Sequence, residues 1–164
     1  MQRIVTSIFV FLLIGNVSAQ GLEPFELTDS WLTQLETMAP SETTTKVDKK
    51  RSILIFSLHT GYEHWTIPHT EAVVKMLAEK SGVFQVGTSK DISIFEVENL
   101  QKYDAVVLNN NCSISDKRNL FWDVLKEDSS MTDVQRKEKA GQLEKNLLDY
   151  VANGGGLMVL HGAI

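Results

Sequence analysis

From residue 52 onward, short continuous apolar runs alternate with longer segments whose apolar residues recur at helical spacing. Such runs are typical of strands buried on both faces of a parallel sheet. The helical segments are typical of the crossovers that connect these strands. The pattern therefore predicts an α/β fold with right-handed crossovers. We predict four strands, at 52–57, 84–88, 104–108 and 157–160.

The helices between these strands carry their own start and stop signals. The first is predicted to begin near Pro68, which suits a first helical turn, and to end at Gly82. A second is predicted at about 116–126. A third opens at Thr132, which forms a capping-box pattern with Gln135. A short amphipathic helix is also predicted before the first strand, from the spacing of Trp31, Leu35 and Met38.

The fourth strand is as apolar as a central strand, yet only four residues follow it. Strands of this kind need cover on both faces, and incomplete cover would leave an apolar patch exposed. We therefore interpret residues 51–164 as the N-terminal, incomplete portion of a domain that is truncated after the fourth strand.

Residues ahead of the strand pattern divide into two parts. Arg3, the apolar run 8–14 and the small residues ending at Ala19 have the order of a secretory signal peptide, residues 1–19. The apolar run is too short to span about 30 Å of hydrocarbon, which needs roughly 20 residues. We expect a secreted or periplasmic protein with no stable membrane insertion after cleavage. Residues 20–50 would then be a lead-in segment and linker.

Composition narrows the classes of partner. The chain has 164 residues, a formal net charge of −5, and 43% hydrophobic residues, which is typical of a globular protein. Nucleic-acid binding needs a basic surface, so the charge gives no reason to expect that partner. Cys112 is the only cysteine, so no internal disulfide can form.

All four histidines fall just beyond the ends of two predicted strands. His59, His64 and His69 follow the first strand, and His161 follows the fourth. Ligands bind outside the carboxyl ends of parallel strands, and imidazole suits proton transfer and metal ligation near neutral pH. Strands that flank a common neighbour lie roughly 10 Å apart, so these side chains can meet over its end. The alternative for each histidine is a structural role in capping or in loop hydrogen bonds.

Other polar groups fall in the same places. Gly61 can take a left-handed backbone angle and lets the first loop turn sharply. Asn109, Asn110 and Asn111 follow the third strand, where amides can bond a substrate, or where they are only a turn signal. His161 precedes the small residues 162–163, which resembles the strand-to-helix elbow that presents a nucleophile in hydrolases.

Four blocks in order and spacing resemble the ThuA-like, trehalose-utilisation family. The resemblance covers residues 52–164 and implies a flavodoxin-like, doubly wound parallel sheet of the class I glutamine amidotransferase-like type. It also implies a link to the metabolism of trehalose and related sugars. The amidotransferase elbow carries cysteine where His161 stands, so glutamine hydrolysis is not supported. The blocks are Leu54–Ser57, Gly61–His64 with Ile67–Pro68, Tyr103–Asn110 and Gly154–Ala163.

These observations lead to one leading hypothesis, a secreted ThuA-like protein that binds trehalose or a related sugar, including an oxidised one. His64 and His161 would be acid–base residues or ligands of a divalent metal such as zinc. Whether the protein is a hydrolase, a lyase or a non-catalytic sugar-binding or interaction module stays open, as does a homo-oligomer. A thiol hydrolase based on Cys112 is least favoured, because it needs a base within hydrogen-bond reach. The predicted substrate-binding residues are His59, Tyr62, Asn109 and Asn110.

Overall fold

The computed structural model describes residues 23–44, 46–114, 116 and 118–162, and these form a parallel four-stranded sheet. The strand order is β2-β1-β3-β4, which confirms the flavodoxin-like arrangement with the first and third strands adjacent. The predicted signal peptide, residues 1–19, lies outside the described residues. The strands are β1 (Arg51–Phe56), β2 (Phe84–Ser89), β3 (Ala105–Asn109) and β4 (Gly156–Leu160).

Helices lie at the predicted places, with one different start. Gly82 ends the first crossover helix at a φ of 70°, and the predicted capping box at Thr132 is formed with Gln135. The helix predicted at 116–126 begins only at Leu120, because the Asn119 side chain caps it by accepting a bond from the Trp122 N–H. The helices are α1 (Asp29–Met38), α2 (Ile67–Ser81), α3 (Val97–Leu100), α4 (Leu120–Leu125) and α5 (Asp133–Ala152), with a 3₁₀ turn at Ile92–Phe95.

Burial differs sharply between the central and edge strands of the described sheet. In β1, Leu54, Ile55 and Phe56 expose no surface, because helices or loops cover both faces. In β4, Met158 is 51% exposed and its neighbours Leu157 and Val159 are also exposed. The apolar patch expected along the fourth strand is therefore present. No helix in the described ranges is both long enough and apolar enough to cross a membrane.

The two edges of the sheet have different polar groups. At the amino ends of the strands, Asp104 accepts bonds from the Ser52 N–H at 2.7 Å and from Arg51 Nη1 at 3.0 Å. The Ser52 bond and then the Arg51 bond hold the pKa of Asp104 below its ordinary value. The histidines and the asparagine run lie at the opposite, carboxyl edge, where the loops after β1, β3 and β4 meet.

Candidate functional site

Two histidines from different strand ends meet at the carboxyl edge of the sheet. The ring centroids of His64 and His161 lie 4.6 Å apart, with the ring planes at 77°. His64 is half-buried and His161 is exposed. The predicted meeting of side chains from both sides of β3 is thus observed, while their chemical roles stay predictions.

The environment of His64 favours the neutral ring. Burial lowers the pKa of His64 below the ordinary 6.5, and the like charges of His161 and then His59 lower it further. A neutral imidazole has a free nitrogen lone pair, which can accept a proton or bind a cation. The neutral form of His64 is therefore suited to either of these roles.

The turn after β4 has the shape of an elbow. His161 has a φ of 52°, in the left-handed region that non-glycine residues rarely adopt. The next residue, Gly162, is packed so closely that a Cβ there would lie 2.7 Å from Cys112 Sγ. The Cys112 thiol also donates to the Gly162 carbonyl oxygen at 3.2 Å. The lone cysteine therefore lies with the histidines where the loops after β1, β3 and β4 meet, a region called the mouth below. Its hydrogen bond fixes the turn after β4.

An open cavity of about 480 Å³ borders the elbow. Tyr62 stands at its edge, 68% exposed, with its ring centroid 4.5 Å from that of His64. The loop after β3 contributes Asp116 and Arg118, which the sequence did not single out. Their only signal was their position after the third strand, at the switch point of the sheet. The cavity is lined by Tyr62, Cys112, Ser113, Ile114, Asp116, Arg118 and Gly162.

His59 belongs to the loop after β1, as Tyr62 and His64 do. It lines a separate cavity of about 580 Å³ along α2, together with Glu63 and Glu71. Its Nε2 is 3.7 Å from Glu63 Oε1, and its buried Nδ1 has no hydrogen-bond partner in the described ranges. His59 and Tyr62 therefore line different cavities. The effect of His59 on His64 is electrostatic, because a positive charge on His59 lowers the pKa of His64.

Asn109 is fully buried and braces the end of β1. Its Nδ2 donates to Ser57 Oγ and to the Ile67 carbonyl oxygen, both at 3.1 Å. The Ser57 hydroxyl in turn donates to Glu71 Oε2 at 2.6 Å. These bonds link the end of β3 to the end of β1 and to the start of α2. The amide therefore fixes the strand ends beneath the mouth. Substrate binding by Asn109 stays a prediction.

Asn110 and Asn111 also bond to the protein itself. Asn110, at a φ of 54°, donates from Nδ2 to Asn109 Oδ1 at 2.7 Å. Asn111 donates to the carbonyl oxygens of Phe56 and Leu58 at 3.1 and 2.7 Å. All three asparagines are buried. The substrate-binding role of Asn110 is likewise still a prediction.

His69 is the histidine that does not join the others. It is 6% exposed, with its Nδ1 3.3 Å from the Trp65 carbonyl oxygen. The rings of Phe25 and Trp31 contact it edge-on, at centroid distances of 4.5 and 5.1 Å. His69 therefore anchors the lead-in segment on α2.

Gly61 has a different role from the one its backbone freedom suggested. The described glycines with a positive φ are Gly82 and Gly154, so Gly61 does not adopt the left-handed angle that it can take. A Cβ at Gly61 would instead lie 2.8 Å from the Ser113 carbonyl oxygen. Glycine is required there because two loop backbones approach each other closely.

The described residues do not complete a metal site. Within the described ranges, no group of three or more histidine, cysteine or acidic side chains is placed to hold a metal ion. His64 and His161 offer two nitrogens, and a catalytic zinc usually takes three protein ligands.

Comparison with known proteins returned a family match over most of the chain. The family model described as ThuA, trehalose utilisation, matches residues 52–164. The matched span contains every predicted site residue and all four strands except Arg51, the first residue of β1. No curated protein and no solved structure matched the chain.

Proposed function

The chain belongs to the ThuA, or trehalose utilisation, family, and we propose that it binds a sugar above the carboxyl ends of β1, β3 and β4. The sugar would be trehalose or a related one, including an oxidised form, and His64 and His161 would transfer protons to and from it. The observation that carries the proposal is the 4.6 Å contact between these two rings, next to Tyr62 and Gly162, which line an open polar cavity.

The paired rings suit general acid–base catalysis. Protonation of one ring disfavours protonation of the other, because like charges so close together repel. When one of the two rings carries the extra proton, that ring is an acid while its neutral neighbour is a base. The lowered pKa of His64 makes it the better candidate for the base. A sugar hydroxyl would be its proton donor.

The neighbouring cavity suits a sugar in size and chemistry. Its volume of about 480 Å³ falls in the range of small-molecule sites, roughly 300–1,000 Å³. The exposed ring of Tyr62 offers a flat apolar face on which the C–H face of a pyranose can pack. Asp116 can accept hydrogen bonds from hydroxyl groups, and Arg118 can donate them.

Calorimetry on the purified protein tests the proposal, with trehalose, maltose and gluconate as the probes. We expect binding of at least one probe by the wild type, and at least a tenfold weaker affinity in His64→Gln and His161→Gln. His69→Gln is the matched control, since this histidine lies away from the cavity. Equal affinity in the wild type and both site variants would contradict the proposal.

The same variants test the metal alternative. Metal content is measured by elemental analysis of the purified wild type, His64→Gln and His161→Gln. A bound divalent metal that is lost in both variants would make the rings ligands instead of proton carriers. Unchanged metal content in both variants would exclude that role and leave proton transfer.

A non-catalytic sugar-binding module is the second candidate. It is favoured because both potential nucleophiles at the cavity already donate hydrogen bonds to other protein groups. The Cys112 thiol donates to the Gly162 carbonyl oxygen, and the Ser113 hydroxyl donates to Asp123. Binding of a probe sugar without any product over prolonged incubation would support this candidate, and turnover of any glycoside or keto-sugar would exclude it.

The proposal includes export from the cytoplasm. It is supported by the order of charged, apolar and small residues in 1–19. Mass spectrometry of the protein from its producing cells should find a mature N-terminus at Gln20. A mature protein that retains residues 1–19 would contradict export by cleavage.

A further inference from the structure

A buried carboxylate lies beneath the loops that carry the histidine pair. We infer that Asp123 is a positioning residue, which clamps the loop after β1 to the loop after β3 and so sets the contact between His64 and His161. The inference rests on the proposed function of that pair. Asp123 lies in α4, and its side chain is only 1% exposed.

One oxygen of Asp123 joins the two loops directly. Asp123 Oδ2 accepts from the Thr60 hydroxyl at 2.6 Å, from the Ser113 hydroxyl at 2.5 Å and from the Ile114 N–H at 3.0 Å. Thr60 belongs to the loop after β1, whereas Ser113 and Ile114 belong to the loop after β3. Lys126 Nζ is 3.9 Å from the other oxygen. The carboxylate is thus held by polar donors from both loops, as a buried charge requires.

The clamp extends to the elbow through the backbone of Cys112. The Cys112 carbonyl oxygen accepts from the N–H groups of Thr60 and Gly61, both at 2.9 Å. The Cys112 thiol donates to the Gly162 carbonyl oxygen. A continuous set of bonds therefore runs from Asp123 to the loop of His64 and to the residue after His161.

The negative charge is what makes Asp123 suited to this role. Hydrogen bonds to an ionised acceptor are roughly twice as strong as neutral ones. Asparagine has nearly the same shape, but it replaces one acceptor oxygen with a donor group and carries no charge. Asp123→Asn should therefore loosen the clamp while leaving the packing of α4 intact.

The test uses nuclear Overhauser effects between the ring protons of His64 and His161 in the full chain. The wild type should show a cross-peak between the two rings, as their 4.6 Å centroid distance requires. Asp123→Asn should lose it. The control is Asp104→Asn, because Asp104 also bonds a backbone N–H but does so at the opposite edge of the sheet. That control should keep the cross-peak.

Milder variants keep the inference testable if Asp123→Asn does not fold. Thr60→Val and Ser113→Ala each remove one hydroxyl donor, and backbone amide spectra establish that the sheet is native. A native sheet with a weakened or lost ring cross-peak in these variants supports the inference. An unchanged cross-peak in every Asp123, Thr60 and Ser113 variant that folds overturns it, as does the absence of the cross-peak from the wild type.

Failure of this inference can be told apart from failure of the proposed function. The cross-peak depends only on the geometry of the rings, and probe-sugar affinity is measured on the same samples. Loss of the cross-peak in Asp123→Asn supports the positioning role even if no probe sugar binds the wild type. An unchanged cross-peak overturns the positioning role even if the wild type binds a sugar.

Discussion

Replacing Gly61 with alanine should test the close approach of the two loops at the mouth. The new Cβ would lie 2.8 Å from the Ser113 carbonyl oxygen, 2.9 Å from its carbon and 3.0 Å from the Ile114 nitrogen. All three atoms belong to the backbone, so no side-chain rotation can relieve the clash. The loops must therefore move apart by roughly half an ångström to reach ordinary contact.

The cost of this movement has two parts. Overpacking of a well-packed site costs about 1–3 kcal/mol. The same movement stretches the two 2.9 Å bonds from the Thr60 and Gly61 N–H groups to the Cys112 carbonyl oxygen, each contributing a net ~1 kcal/mol when intact. The two parts together span about 1–5 kcal/mol. Because the bonds are stretched and not broken, Gly61→Ala should lower the free energy of unfolding by about 2–3 kcal/mol, near the middle of that range. For a chain of this size, that lowers Tm by roughly 4–12 °C.

Urea unfolding followed by circular dichroism measures the change. The control is Gly141→Ala in α5, where an added Cβ meets no atom within 4 Å. This control should instead stabilise the protein by up to about 1 kcal/mol, because alanine favours a helix interior over glycine. If Gly61→Ala unfolded within about 0.5 kcal/mol of the wild type, a typical surface-substitution effect, the close-approach explanation would be refuted.

Three further predictions follow from the same structure. His161→Gln removes a like charge, so the pKa of His64 should rise toward 6.5, and an NMR titration that finds it unchanged would refute the coupling. Thr132→Ala removes the capping hydroxyl of α5 and should cost about 1 kcal/mol in urea unfolding; no change would show that the cap is dispensable. The wild type should lose stability as the pH falls below 6.5, because unfolded His64 binds a proton there and folded His64 resists it. His64→Gln should have a shallower pH dependence in that window; an identical slope would assign the effect to other groups.

The sheet could be predicted because β1, β3 and β4 each contain a recognisable apolar run. The runs 53–56 of β1 and 105–108 of β3 are apolar, so their burial on both faces was readable from the sequence. The capping box at Thr132 marked the start of α5. The place of His64 and His161 at the carboxyl edge followed from this sheet order. The late start of α4 was missed because Asn119 caps it, inside a segment that also fits helical spacing.

The contacts that assemble the mouth could not be predicted in the same way. Asp123 bonds to Thr60, which is 63 residues away, and its position in an apolar helix gives no sign of that partner. Asn109 lies at a strand end, where a turn signal and a brace between strands have the same sequence pattern. Gly61 was correctly marked as a special backbone position, but the reason depends on Ser113, from a distant loop.

The position of β4 at the edge of the described sheet has a consequence for local unfolding. β1 is hydrogen-bonded to a strand on each side, whereas β4 pairs with β3 alone among the described strands and exposes Leu157, Met158 and Val159. Strands with few buried contacts open at a lower free energy than the core, so β4 amides should exchange hydrogen faster than those of β1. Each opening of β4 would withdraw His161 from His64, which is attached to the well-protected strand. A ligand that bridges both rings would slow this exchange, because it binds only the closed form.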